Sequence, residues 1–154
     1  MSSEPPVIDP EFLLQALAEF RFELRRFLQF SENAALEAGL NPQQHQLLLQ
    51  VAGAAPHTAV TIAYAAARLG LKHNSVVELV DRSEREGLLE RKADAADKRR
   101  AILHVTRKGK QALSKLSDQH AQELNELAPR LARALHAVRR HVTTGSAFAG
   151  KDAR

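Results

Sequence analysis

A chain of 154 residues, 44% hydrophobic and 26% charged, suits one globular domain with a core of ordinary size and is not the composition of a disordered protein. It has no cysteine, which excludes disulfides, thiolate metal sites and thiol redox sensing; nor does any apolar run approach the ~18–20 residues that span a bilayer. The formal net charge of +4 is modest, so its distribution says more about partners than its size.

Residues 1–8, MSSEPPVI, lack the basic-then-apolar layout of a signal peptide and are expected to be flexible, which points to the cytoplasm and away from any membrane partner. Asp9 and Pro10 supply an N-cap and a first-turn residue. Phe12, Leu13, Leu17, Phe20, Leu24, Phe27 and Leu28 then recur at spacings of three and four, and Phe22 and Phe30 add a second apolar face before Gly39. A long helix that is apolar on two sides is expected to pack against a second subunit as well as its own chain. Asn41-Pro42-Gln43-Gln44 opens a short helix ended by Gly53, and Thr61 can cap the alanine-rich IAYAAARLG, stopped at Gly70. NSVVELVDRSEREG runs as a further helix to Gly87 with Val76, Val77, Leu79 and Val80 inward. The tight GLKH turn makes these two a helix-turn-helix, and the small Ala65, Ala66 and Ala67 allow close approach.

LLERKA and AILHVT read as antiparallel strands joined by seven residues that open on Asp94 and close on Lys98-Arg99-Arg100. A hairpin directly after a helix-turn-helix is a wing. From Leu88 to Lys110 the cations Arg91, Lys92, Lys98, Arg99, Arg100, Arg107, Lys108 and Lys110 face only Glu90, Asp94 and Asp97, a local balance of +5 that leaves −1 for the rest. Such a concentration is the footprint of a polyanion partner, although a charge run alone also suits a solvated loop. Thr106 caps a long amphipathic helix through Leu113, Leu116, His120, Leu124 and Leu127; Pro129 is expected to break or kink it before RLARALHAVRRHV forms a last helix. The tail over 143–154 is expected to be disordered. The fold class is therefore mainly α with a small β-hairpin wing (α+β). A single domain over 9–142 divides into a winged helix-turn-helix lobe, 41–105, and a helical dimerisation region, 9–40 and 106–142.

From about Pro10 to Val142 the sequence resembles the MarR (multiple antibiotic resistance regulator) family of winged-helix transcription factors. The resemblance is carried by TIAYAAARLGL, by NSVVELVDRSEREGLLER, by DKRR in the family's Asp-x-Arg-Arg slot and by VTRKG in place of its Leu-Thr-x-x-Gly. It implies a homodimer with interlocked terminal helices, double-stranded DNA bearing a pseudo-palindromic operator as the partner, and repression relieved by a ligand. Residue by residue it implies a recognition helix starting near His73, led by His73, Asn74, Ser75 and Glu78, with Lys72 just before it and Thr61 at the preceding helix start. Asn suits adenine, Glu suits cytosine N4, and Ser is adaptable. In the wing it implies Asp97 orienting Arg99 into the minor groove, with Lys98 and Arg100 on phosphates; a salt bridge within the wing or across the dimer is the structural alternative for either arginine. A small aromatic acid is the implied ligand, in a crevice near Phe27, Phe30, His45 and Gln46; Phe27 and Phe30 serve equally well as plain core in a protein with no natural ligand.

Other chemistries find little support. His45, His104, His120, His136 and His141 show no i, i+4 clamp, so no metal is expected, and no other cofactor either. With no Gly-rich phosphate loop or nucleophile elbow, and with Glu84 and Glu86 the nearest paired acids, the chain is not expected to be an enzyme. The competing function is a winged-helix dimer that serves as a protein-interaction adaptor without specific DNA binding. It draws on the acidic character of the recognition helix, where Glu78, Asp81, Glu84 and Glu86 outnumber Lys72, Arg82 and Arg85.

Overall fold

The computed structural model describes the backbone of residues 10–149 and the side chains of residues 10–142. The elements in chain order are α1 (Pro10–Glu37), α2 (Pro42–Ala52), α3 (Ile62–Leu69), α4 (His73–Arg85), β1 (Leu89–Ala93), β2 (Ala101–Val105) and α5 (Arg107–Ala149). The expected flexible segment 1–8 and the Asp9 cap lie outside the described residues. No helix among the described residues is long and apolar enough to cross a membrane.

Ser31–His120 forms one compact unit. Its core gathers Leu47 and Leu48 from α2, Val76 and Val80 from α4, Leu89 and Leu103 from the strands, all essentially without solvent contact. Each helix is delimited by the chemistry of its ends. Asn41 and Gln44 form a reciprocal capping box at α2, in which the Asn41 side chain accepts from the Gln43 amide and the Gln44 side chain accepts from the Asn41 amide. Thr61 Oγ1 accepts from the Tyr64 amide at α3. Gly70 and Gly87 close α3 and α4 in the left-handed region, where a Cβ would be strained. On α4 the buried positions are Val76, Leu79, Val80 and Ser83, whereas Val77 is only half-buried.

The hairpin pairs Leu89 with Val105, Arg91 with Leu103 and Ala93 with Ala101. With a side-chain period of two, this register puts Leu89, Arg91 and Ala93 on the inner face and Glu90 and Lys92 on the outer one. The hairpin has one further attachment that the sequence did not signal: the Leu103 amide donates to Val60 O at 2.8 Å, tying β2 to the segment before α3.

The second unit is drawn from residues 10–30 and 121–149. Glu23 on α1 meets Arg130 on α5 at 3.1 Å, and Ala16, Leu127, Ala134 and Ala137 are the buried apolar residues of this unit among the described residues. Phe12, Leu14, Leu17, Phe22, Leu24 and Leu28 of the same unit stay exposed, Leu14 at 66% and Phe22 at 55%.

Two sequence expectations meet a different outcome in α5. Pro129 does not end the helix: it lies inside one continuous element, Arg107–Ala149. The buried positions Leu113, Leu116, Leu127, Ala134 and Ala137 keep one phase across the proline, which is itself exposed, so packing on the inner side outweighs one lost hydrogen bond on the outer side. Of the expected tail over 143–154, residues 143–149 continue the helical backbone, as propagation onto an existing helix allows, and residues 150–154 lie outside the described residues.

Candidate nucleic-acid interface

The first turn of α4 is unusually bare. Lys72 stands at the N-cap in an extended conformation without any side-chain cap bond, and Lys72, His73, Asn74, Ser75 and Glu78 are all exposed. Val76, Leu79 and Val80 hold the opposite face in the core, so this polar edge is offered outward on a fixed support. Thr61 differs from them: half-buried, its hydroxyl is engaged as the cap of α3.

The wing tip is organised by its two aspartates. Asp94 Oδ1 accepts from the Ala96 amide at 2.9 Å, and Asp94 Oδ2 holds Arg100 Nε. Asp97 Oδ1 accepts from the Arg99 amide at 3.0 Å and from Arg99 Nε at 3.3 Å. Each aspartate thus closes an Asx-type turn and orients one arginine. The Ala96 amide first, and then the Arg100 guanidinium, hold the Asp94 carboxyl below the usual carboxylate range. The two arginines end differently. Arg99 leaves its side chain 93% exposed, whereas Arg100 is half-exposed and bonded within the wing, the structural role foreseen as its alternative. Lys98, just before them, is exposed.

Arg91 leaves the basic patch in which the sequence placed it. Its NH2 group meets Asp81 Oδ1 at 2.6 Å, its NH1 group meets Glu84 Oε2, and its backbone amide donates to Glu84 Oε1 at 2.9 Å. Partial burial alone would lower the Arg91 pKa; its bonds and attraction to Asp81 and Glu84 overcome that and leave it above the ordinary value. Glu86 accepts from Gln44 Nε2 at 3.0 Å, and Lys108 Nζ donates to Glu86 O at 2.7 Å. Three of the acids that make α4 look repulsive to a polyanion are therefore bonded to neighbouring elements. The signal available in sequence was the position of Arg91 two residues beyond Leu89, on the inward face of its strand.

Of the expected ligand residues, Phe27 and Phe30 are half-buried on α1 and belong to one unit, while His45 and Gln46 on α2 belong to the other. His45 is only 3% exposed, and its Nδ1 has no hydrogen-bond partner among the described residues. Its ring lies 5.0 Å from that of His120, whose Nδ1 faces Leu116 O at 2.6 Å and whose Nε2 faces Ser31 Oγ at 2.7 Å. Burial, and then the neighbouring His120, push the His45 imidazole below its ordinary pKa. Among the described residues no three His, Asp or Glu side chains gather as a metal cluster.

A helix pair with a tight turn, followed directly by a two-stranded hairpin with a cationic tip, defines a winged helix-turn-helix protein. The MarR family model matches residues 38–100. The chain is 32% identical over 110 residues to YkoM, an uncharacterized HTH-type transcriptional regulator of Bacillus subtilis (strain 168), with 70% of each chain covered. It belongs to the MarR family of transcriptional regulators. Solved structures share the fold: that of a MarR family transcription regulator has a TM-score of 0.69 at 21% identity, covering 93% of this chain and 95% of that one. The S. aureus MepR–DNA complex has a TM-score of 0.63 at 16% identity, covering 92% and 98%. CouR from Rhodococcus jostii RHA1 bound to p-coumaroyl-CoA has a TM-score of 0.62 at 22% identity, covering 95% and 96%.

Proposed function

We propose that the protein is a homodimeric repressor that binds a pseudo-palindromic operator and is released by a small ligand with an aromatic acid moiety. The observation that carries the DNA reading is the wing tip: Arg99, aligned by Asp97 yet 93% exposed, beside an exposed Lys98. In this reading His73, Asn74, Ser75 and Glu78 address base edges in the major groove, Lys72 and Lys98 address phosphates, and Arg99 enters the minor groove. Arg100 adds little to the positive charge of the tip beyond Lys98 and Arg99, because the Asp94 carboxylate that holds it offsets its charge. The adaptor alternative loses its main support, since Asp81, Glu84 and Glu86 are engaged by Arg91 and Gln44.

Enrichment from a pool of random duplexes tests the DNA reading. Paired half-sites about one helical turn, ~10 bp, apart are expected; a pool that stays unenriched at low salt contradicts the reading and favours the adaptor. The ligand part draws on the p-coumaroyl-CoA complex of CouR and on side chains within each unit: Phe27 and Phe30 supply aromatic surface in one, His45 and Gln46 polar atoms in the other. Phenolic carboxylates and their acyl thioesters are expected to raise the melting temperature and weaken DNA binding. If neither quantity moves across the panel, the ligand assignment fails.

A further inference from the structure

We propose that Arg91 is a positioning residue for DNA binding, a clamp that fixes the wing relative to the reading helix without touching the duplex. This rests on the reading of α4 and the wing as the DNA-binding elements.

Asp81 and Glu84 stand three apart on α4 and so project from one side of the helix. Arg91 reaches both with the two arms of its fork, while its own amide bonds the second carboxylate, so one residue of β1 makes three bonds to one helix. A planar guanidinium held at two points fixes direction as well as distance, which the single ammonium of lysine does not. The place of this clamp in the strand matters. Leu89 anchors the root of the hairpin in the core, whereas Lys92 and Ala93, which lead to the tip, are exposed. Arg91 is thus the last side chain of β1 held against α4 before the loop carrying Lys98 and Arg99. With Arg91 released, β1 loses its tie to α4 while β2 stays anchored at the same level by the buried Leu103 and its bond to Val60 O. The tip beyond that level can then swing, and it has to be ordered during binding instead of beforehand. With its side chain 26% exposed and NH1 and NH2 already on carboxylates, Arg91 is poorly placed to serve a phosphate as well.

The test uses the full chain with Arg91→Met, which keeps the stem, and Arg91→Lys, which keeps the charge. The absence of native cysteine allows spin labels at Arg82→Cys on α4 and Ala96→Cys at the tip, both exposed, with unlabelled protein added so that only distances within one chain are read. A narrow distance distribution is expected with Arg91, a broad one with Met, and little rescue by Lys. On a selected operator Met is expected to weaken binding about tenfold or more, with the slope of log affinity against log salt unchanged. In a Lys98→Ala, Arg99→Ala background the same substitution should cost little, because no wing contact remains to be positioned. A slope reduced by about one unit would instead make Arg91 a phosphate contact. An unchanged distance distribution, or a full additive loss in the wing-deleted background, would reduce it to an ordinary stabilising ion pair; either result overturns the proposal. A broadened distribution in a protein whose wild type selects no duplex would leave the clamp standing and remove the DNA reading instead.

Discussion

A methyl group added at Gly109, in the first turn of α5, would sit 2.2 Å from Leu88 O and 2.6 Å from Val105 Cγ1. The first of these is backbone and has no flexible end to yield. Thr106 locks the same corner, donating from Oγ1 to Gly87 O at 2.6 Å and accepting from the Gly109 amide at 3.2 Å. The Thr-x-x-Gly spacing thus has a physical meaning: it lets the helix start press onto the turn between α4 and β1. Gly109→Ala is expected to lower stability by about 1–3 kcal/mol through overpacking, despite alanine's better helix propensity; denaturant unfolding checks it, and a gain would contradict the close approach. His57 presents the opposite case, a non-glycine residue at φ 65° on an exposed loop. His57→Gly should gain roughly 0.5–1 kcal/mol in the same measurement, the relief of left-handed strain less the extra freedom of glycine in the unfolded chain. His45 adds a pH dependence. Its folded pKa lies below the unfolded value of about 6.5, so in the window between the two the unfolded chain binds the extra proton; stability is full above ~6.5 and falls as pH drops through it. His45→Leu is expected to flatten the melting temperature between pH 7.5 and 5.5, and parallel curves for variant and wild type would contradict the assignment.

At the scale of elements, Pro129 tests whether the single α5 helix is held by its packing. An exposed interior proline costs ~3 kcal/mol relative to alanine, so Pro129→Ala is expected to raise the melting temperature; a fall would mean that the partner surface requires the proline. Helix ends were legible in the sequence because they are local events: Asn41 and Thr61 cap within three residues, and Gly70 and Gly87 stop helices by backbone conformation alone. The hairpin was legible for the same reason, its tip being set by Asp94 and Asp97 bonding residues two positions on. The continuity of α5 was not, since local proline chemistry opposes it and only the buried stripe overrides it. The candidate site was legible in part. The exposed edge of α4 and the Asp97–Arg99 contact were expected from the resemblance to the MarR family, but the removal of Arg91 from the basic patch depends on Asp81, ten residues away across a turn. The His120–Ser31 contact spans 89 positions, beyond any pattern in one chain.

For the whole molecule, the unit built from residues 10–30 and 121–149 leaves six large apolar side chains of α1 exposed, together with Leu124 and Leu135 of α5. A patch of this kind is uncommon on a monomer and characteristic of a permanent interface. Sedimentation is therefore expected to give a dimer at micromolar concentration with no folded monomer, and a stable folded monomer would contradict it. The two elements offered to DNA should fail in different ways, because phosphate contacts set affinity while base contacts set discrimination. Titration of wild type, Lys98→Ala, Arg99→Ala and Asn74→Ala on a selected operator and a scrambled duplex, at two salt concentrations, tests it most directly. Lys98→Ala is expected to lower the salt slope by about one unit per contact removed, and Arg99→Ala to weaken both duplexes, with an extra loss where the flanks are A·T-rich. Asn74→Ala is expected to cost ~1–3 kcal/mol on the operator and little on the scrambled duplex. Wing variants that bind like wild type at both salts would rule out a wing–DNA contact and leave the hairpin a structural feature of an adaptor.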